Sequence, residues 1–405
     1  MGQSTFPVPS SGSSTSTVLP VNASSVILDG SLTSASTYTT TVNGNGGIAY
    51  LTATDNPATI TVGGTAYSVP ANTVVATTAV VGSGVSTTVA ATYAQTAPAT
   101  FTASTMPNGA LWRAVAYGNG YFVSVSYNNN GGAYSTNGTS WTASTLSSSQ
   151  RWSGVTYGLV SATPTYVAVS IGTNAGTYST NGTTWTASTM PSLSDWYGVT
   201  YGNGKFVAVA QGTTAGAYST NGSSWTASTM PSSSTWYGVA YGNGYYVAVA
   251  SGTTAGAYST NGTTWTASTM PSSLSWYGVT YGLVGTTPTY VAVQGSATTA
   301  GAYSTNGTTW TASTMPSSST WQGVTYGNGY FVAVPNGSTA GAYSSNGITW
   351  TASTLPSSSQ WYSVTYGNGY FVATQSSGTT AGAYFAQTIA MPVNFGIYAG
   401  PTTIN

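Results

Sequence analysis

Trp236-Tyr237-Gly238-Val239-Ala240-Tyr241-Gly242-Asn243-Gly244-Tyr245-Tyr246-Val247-Ala248-Val249, followed after a short gap by Ala257-Tyr258-Ser259-Thr260-Asn261-Gly262-Thr263-Thr264-Trp265-Thr266-Ala267-Ser268-Thr269, is the stretch whose copies fill the chain from about residue 100 onward. Its leading tryptophan recurs as Trp112, Trp152, Trp196, Trp236, Trp276, Trp321 and Trp361, at spacings of 40, 44, 40, 40, 45 and 40 residues. A period near 40 carrying strand-type residues predicts propeller blades.

Each copy reads as four short strands rich in β-branched and aromatic residues. The first is Trp-x-x-Val-x-Tyr, the second Phe-Val-Ala-Val or a near copy, the third Ala-Tyr-Ser, and the fourth Trp-Thr-Ala-Ser-Thr. Two of the joins are Asn-Gly turns, which suit the positive φ of a type I′ hairpin. The fourth strand is missing after Tyr384, yet a copy stands before the first unit as Phe101-Thr102-Ala103-Ser104-Thr105. A ring whose two ends share one blade needs that permutation. The expected fold is therefore all-β: a seven-bladed propeller over 99–385, closed by an N-terminal strand so that no long edge is left exposed.

Ser-Thr-Asn-Gly-Thr-Thr-Trp, as at Ser259 to Trp265, resembles the Asp-box, or BNR, repeat of sialidase-like propellers. The whole unit is similar to propeller repeats of bacteriophage tail and fibre proteins and of some bacterial surface proteins. Two departures stand out: Asn137, Asn181, Asn221, Asn261, Asn306 and Asn346 take the place of the Asp, and each box is one residue shorter. The resemblance implies a fold and carries no active site, because the arginine triad and acids of the sialidases have no counterparts here. It also implies a polarity, in which the N-terminal part joins other virion proteins and the propeller meets a host-surface glycan or protein.

Charge excludes several classes of function. Arg113, Arg151, Lys205, Asp29, Asp55 and Asp195 are the only ionised side chains among 405 residues, and Glu, His and Cys are absent. Three cations cannot neutralise a row of phosphates, so nucleic acid is not an expected partner. Without His, Cys or clustered carboxylates, neither a metal nor a cofactor site is expected. Triad chemistry lacks its base, and a pair of glycosidase carboxylates cannot be assembled from Asp195 alone. The expectation from composition is a binding or structural protein and no enzyme. A neutral polar surface also suits contacts that are insensitive to salt.

The first 98 residues differ from the rest. Residues 1–20 read as an extended Ser/Thr/Gly/Pro arm. Strand candidates follow at 25–28, 38–42, 48–53, 59–62, 66–69 and 73–81, giving a small β-sandwich-like anchoring domain over 21–98. Residues 386–405 read as a C-terminal tail. Met1 to Phe6 shows no basic and apolar leader, and no run of about 18 apolar residues occurs, so neither export nor membrane insertion is expected. The combined expectation is a virion protein made in the host cytoplasm, a fibre or tail component in a homo-oligomeric assembly. The alternatives are a purely structural head-fibre or decoration protein and a bacterial surface lectin or adhesin.

In a four-stranded blade, the loops between strands two and three share a face with the blade-to-blade connections. That face carries most of the sequence variation. It holds Tyr127, Asn129, Arg151 and Asp195, and the residue after each first-strand Trp: Arg113, Ser153, Tyr197, Tyr237, Tyr277, Gln322 and Tyr362. Tyrosines interspersed with Asn and Gln suit sugars or protein surfaces through stacking and hydrogen bonding. Tyr127, Asn129, Tyr197, Tyr237, Tyr277, Gln322, Tyr362, Arg113, Arg151 and Asp195 are the candidate ligand-binding residues. Core packing at the strand end competes with this reading for the Tyr197 set.

Overall fold

The computed structural model describes residues 97–376 and 381–387, together with the strands at 25–32, 38–43, 47–53, 58–62, 65–69, 73–81, 86–92 and 393–400. The expected arm over 1–20 lies outside the described residues. Among them there is no helix. In chain order the strands are β1 (Ser25–Leu32), β2 (Tyr38–Asn43), β3 (Gly47–Ala53), β4 (Ala58–Val62), β5 (Thr65–Val69), β6 (Thr73–Val81), β7 (Ser86–Thr92), β8 (Thr102–Ser104), β9 (Leu111–Gly118), β10 (Tyr121–Tyr127), β11 (Asn129–Ser135), β12 (Thr142–Val160), β13 (Thr163–Ile171), β14 (Thr173–Ser179) and β15 (Thr186–Gly202). They continue with β16 (Lys205–Gln211), β17 (Thr213–Ser219), β18 (Thr226–Gly242), β19 (Tyr245–Ser251), β20 (Thr253–Ser259), β21 (Thr266–Leu274), β22 (Trp276–Val284), β23 (Thr287–Gln294), β24 (Thr298–Ser304), β25 (Thr311–Gly327), β26 (Tyr330–Ser344), β27 (Thr351–Gly367), β28 (Tyr370–Gln375), β29 (Gly382–Ala386) and β30 (Val393–Gly400).

The chain forms two compact units, one of Met1–Gln95 with Ala390–Asn405, the other of Thr96–Ile389. In the first, antiparallel pairing gives two four-stranded sheets ordered β1-β30-β3-β6 and β2-β7-β4-β5. Two of these strands were not expected from the sequence. β7 is a Ser/Thr/Ala segment with a single Val, so its intrinsic strand signal is weak. β30 falls in the segment read as a tail, yet it pairs with both β1 and β3. Val393, Phe395 and Ile397 alternate with other residues there, a period-two signal that marks the strand.

The second unit repeats one antiparallel pattern. Asp195–Gly202 pairs with β16, β16 with β17, and β17 with the start of β18. The fourth strand of one group runs on into the first strand of the next, so β15 and β18 each span 17 residues instead of breaking at a loop. At the far end β29 pairs with β8: Gly382 with Ser104, Ala383 with Ala103, and Tyr384 with Thr102. Parallel bridges link neighbouring groups, Thr105 to Ser140, Thr145 to Thr184, and so on to Thr354 with Thr100. The repeat thus returns on itself.

Tryptophan is the repeating core residue. Trp112, Trp152, Trp196, Trp236, Trp276, Trp321 and Trp361 are all fully buried. An indole brings a large apolar body and one N–H that needs a partner. In six of the seven the segment just before it supplies one: Trp236 Nε1 donates to the Ser232 carbonyl at 3.1 Å, and Trp196 and Trp361 make the same bond to Ser192 at 3.2 Å and Ser357 at 3.0 Å, whereas Trp321 Nε1 makes none among the described residues.

The Asn-Gly turns explain how Asn can stand for Asp. Asn261 Oδ1 accepts the backbone N–H of Thr263 and of Thr264, each at 2.9 Å, while Ser259 Oγ accepts that of Gly262 at 2.9 Å. An amide oxygen serves these donors without bringing a charge. Gly262 is needed for its φ of +74°, and a Cβ there would meet Val207 Cγ2 at 2.7 Å. Replacing Asn261→Ala leaves two donors without their acceptor and is expected to cost about 1–2 kcal/mol, whereas Asn261→Asp stays within about 0.5 kcal/mol. Denaturant midpoints of the two variants check this.

Candidate functional site

The residue after each tryptophan does not take part in the strand ladder. Ser126 pairs with Trp112 and Val125 with Ala114, so Arg113 is passed over. Ser153, Tyr197, Tyr237, Tyr277, Gln322 and Tyr362 are passed over in the same way. Each is the extra residue of a β-bulge, a device that bends the strand and re-aims one side chain. The bulge was not read from the sequence. The available signal was the glycine that follows in five of the seven groups, since Gly inside a strand often marks a bulge or a close approach; Ala114 and Ser363 take its place after Arg113 and Tyr362. Gly198 meets both descriptions, because a Cβ there would lie 2.5 Å from the Tyr237 carbonyl oxygen of the next group.

The bulges bring their side chains together. Arg113, Ser153, Tyr197, Tyr237, Tyr277, Gln322 and Tyr362 line one cavity of about 190 Å³ where the first strands of successive groups converge. Tyr197 and Tyr237 stand with ring centroids 4.2 Å apart, and Tyr237 and Tyr277 4.5 Å apart, inclined at 36° and 37°. On the opposite side of the mouth, the Arg113 guanidinium carbon lies 3.8 Å from the centroid of the Tyr362 ring and 6.0 Å from that of Tyr127. These tyrosines are half-buried, neither sealed in the core nor fully exposed.

Burial pushes the Tyr237 hydroxyl well above the ordinary phenol value; its hydrogen bond with Tyr197 and the nearby Tyr197 and Tyr277 add to the effect, and Arg113 opposes it. Burial likewise raises Tyr166, Tyr246 and Tyr290. The unfolded chain releases these protons near pH 10.0 and the folded chain holds them, so their stabilisation is complete below that pH and is lost as pH rises above it. With no His or Glu in the chain, the melting temperature is expected to be flat between about pH 5 and 9 and to fall above about pH 10. Melts across that range check it, and a slope near neutrality would contradict it.

The other expected residues lie outside this cavity. Arg151 borders a separate pocket with Asn128, Gln150, Ile171, Gly172 and Thr173. Asp195 lies near Gly172 as well, 3.7 Å from where a Cβ of that residue would stand. Asn129 is a turn former: its Oδ1 accepts the Gly131 N–H at 2.7 Å and the Ser126 hydroxyl. Tyr127 joins Arg113, Tyr197 and Tyr362 in a neighbouring cleft of about 380 Å³. Leu111, Ile171, Gln360 and Ser376 complete that cleft, and none of these was anticipated. Leu111 and Gln360 stand at the repeat position just before the first-strand Trp, the position Arg151 and Asp195 also hold, and that shared position was the available signal.

No family model matches the chain, and no curated protein matches it. Solved structures share its fold. A streptogramin B lyase has 10% identity and a TM-score of 0.60, covering 74% of this chain and 97% of its own. A catalytically inactive virginiamycin B lyase from Staphylococcus aureus with quinupristin has 12% identity and a TM-score of 0.60, covering 74% and 98%. YCF48 bound to D1 peptide has 16% identity and a TM-score of 0.56, covering 72% and 96%. These likenesses place the second unit among the β-propeller proteins and show the fold alone.

One expectation is corrected by them. Composition pointed away from an enzyme, but an enzyme, streptogramin B lyase, stands among the structures with this fold, and YCF48 stands there too. Counting His, Cys and carboxylates tests only the mechanisms that need them, so the exclusion of catalysis from composition does not hold.

Proposed function

We propose that this chain is an adhesive structural protein of a bacteriophage particle, with a seven-bladed propeller that binds a host-surface glycan or protein. The observation that carries this reading is the convergence of the bulged residues on one mouth. Tyr197, Tyr237 and Tyr277 form a partly exposed stack beside Gln322, with the faces and hydroxyls that sugar rings and protein surfaces engage. Nearly identical repeats build the rest of the second unit, so the variation at this mouth reads as selection for a ligand.

The first unit supports the anchoring half of the proposal. Sheets ordered β1-β30-β3-β6 and β2-β7-β4-β5 have the strand order of a jelly roll, an architecture of viral capsid and lectin domains. In this reading the sandwich attaches to other virion proteins in a homo-oligomeric assembly. The propeller is then an insertion carried between its last two strands.

The test is binding of the full chain to intact host cells and to their extracted surface polysaccharide. Saturable binding that falls at least tenfold in Tyr237→Ala and Tyr277→Ala, at unchanged melting temperature, is the expected result. A folded, clustered protein that binds neither would overturn it in favour of a purely structural head-fibre or decoration role.

A further inference from the structure

The mouth is not evenly built, and its irregularity forms the second cleft. Position 153 is serine where four of the equivalent positions hold tyrosine. Ser153 turns inward, donating to the Trp196 carbonyl at 2.5 Å and the Val169 carbonyl at 3.1 Å. No ring therefore stands between Arg113 and Tyr197, and the cleft of about 380 Å³ includes both among its walls. That volume lies at the lower end of the range for small-ligand sites.

Arg113 gives this cleft its chemistry. Its guanidinium carbon lies 3.8 Å from the centroid of the Tyr362 ring, which covers it on one side. No hydrogen bond or ion pair engages its N–H groups among the described residues. Asp195, the sole carboxylate of the second unit, borders Gly172 beside Arg151 instead. The planar guanidinium carries its N–H donors as a fork that matches a carboxylate. Near it the Gln360 Oε1 accepts from Ser376 at 2.7 Å and from the Tyr362 hydroxyl at 3.3 Å. That bonding orients the amide, and among the described residues no acceptor engages its NH₂.

We infer that this cleft binds a carboxylate-bearing sugar residue of an acidic surface polysaccharide. The carboxylate sits on the Arg113 fork, the C–H face of the ring lies against the Tyr127 or Tyr197 side chain, and a hydroxyl takes the Gln360 amide. The inference rests on the glycan-binding reading above and names its substrate class. One cation also makes the binding only weakly dependent on salt, since a half-buried pair is screened less than an exposed one.

The test is calorimetric titration of the full chain with a glucuronic-acid-containing oligosaccharide, its carboxyl-reduced counterpart and inorganic phosphate. The acidic sugar is expected to bind at least tenfold more tightly than the reduced one, with phosphate weaker than both. Arg113→Gln, a residue the fold already accepts at position 322, should bring the acidic sugar down to the level of the reduced one. Ser153→Tyr places there the ring found at four of the equivalent positions and should abolish binding of the acidic sugar while melting normally. Equal binding of acidic and reduced sugars, phosphate binding as tight as the acidic sugar, or no effect of Arg113→Gln would overturn the inference. If neither oligosaccharide binds while host cells are still bound through Tyr237, this inference fails and the adhesive function stands.

Discussion

A chain lacking Phe101–Met106 is expected to lose most of its folding stability and to expose a strand edge that aggregates. Among the described residues β8 is the only partner of β29 on its outer side. Phe101 and Met106 are 3% and 1% exposed, and Phe101 N–H donates to the Thr354 carbonyl at 2.8 Å. Burying two such side chains is worth about 1.5–3 kcal/mol each, and each ladder hydrogen bond adds about 1 kcal/mol. The sum, roughly 5 kcal/mol or more, rivals the whole stability of an ordinary domain. Melting and light scattering of the truncated chain check it. A transition within about 3 °C of the intact protein would show that the fold does not depend on closure.

Gly242→Ala is expected to destabilise the protein by about 3 kcal/mol, against about 1 kcal/mol for Gly244→Ala two residues away. A Cβ on Gly242 would lie 2.0 Å from Cγ of Tyr281, the equivalent tyrosine of the next group. Relief requires that ring to move, and the ring is held in turn: Tyr281 packs 5.1 Å from Tyr290, whose hydroxyl donates to the Gly242 carbonyl. The same contact recurs between Gly118 and Tyr157, Gly158 and Tyr201, Gly202 and Tyr241, Gly282 and Tyr326, and Gly327 and Tyr366, and Gly367 with Tyr117 completes the circuit. Gly244 has a φ of +83° and open space around it, so an alanine there meets only backbone strain. Equal midpoints for the two variants in denaturant would refute the tyrosine-on-glycine account of how neighbouring groups pack.

Much of this was legible in one dimension. The 40-residue spacing of tryptophans gave the repeat, the Asn-Gly pairs gave the hairpins, and the displaced Phe101-Thr102-Ala103-Ser104-Thr105 gave the join. These signals are local, and repetition amplifies each of them. The first unit was less legible, because β30 lies about 350 residues from the strands it pairs with and β7 has weak intrinsic preference. For the site, the sequence placed Arg113 and the Tyr197 set on one face. It could not show that a bulge turns each of them into a shared mouth.

What the sequence by itself determined is the repeating strand pattern and its permutation, because alternation, turn chemistry and buried tryptophans act within a few residues of one another. The tertiary structure alone decided which of many similar side chains meet. Arg113 reaches Tyr362 across 249 positions only because the repeat closes on itself, and the small Ser153 leaves a gap only because larger side chains, Arg113 and Tyr197, stand on either side of it. Local propensity specifies a strand, but a cavity is a property of the gaps between strands, and those are set by the packing of the whole ring.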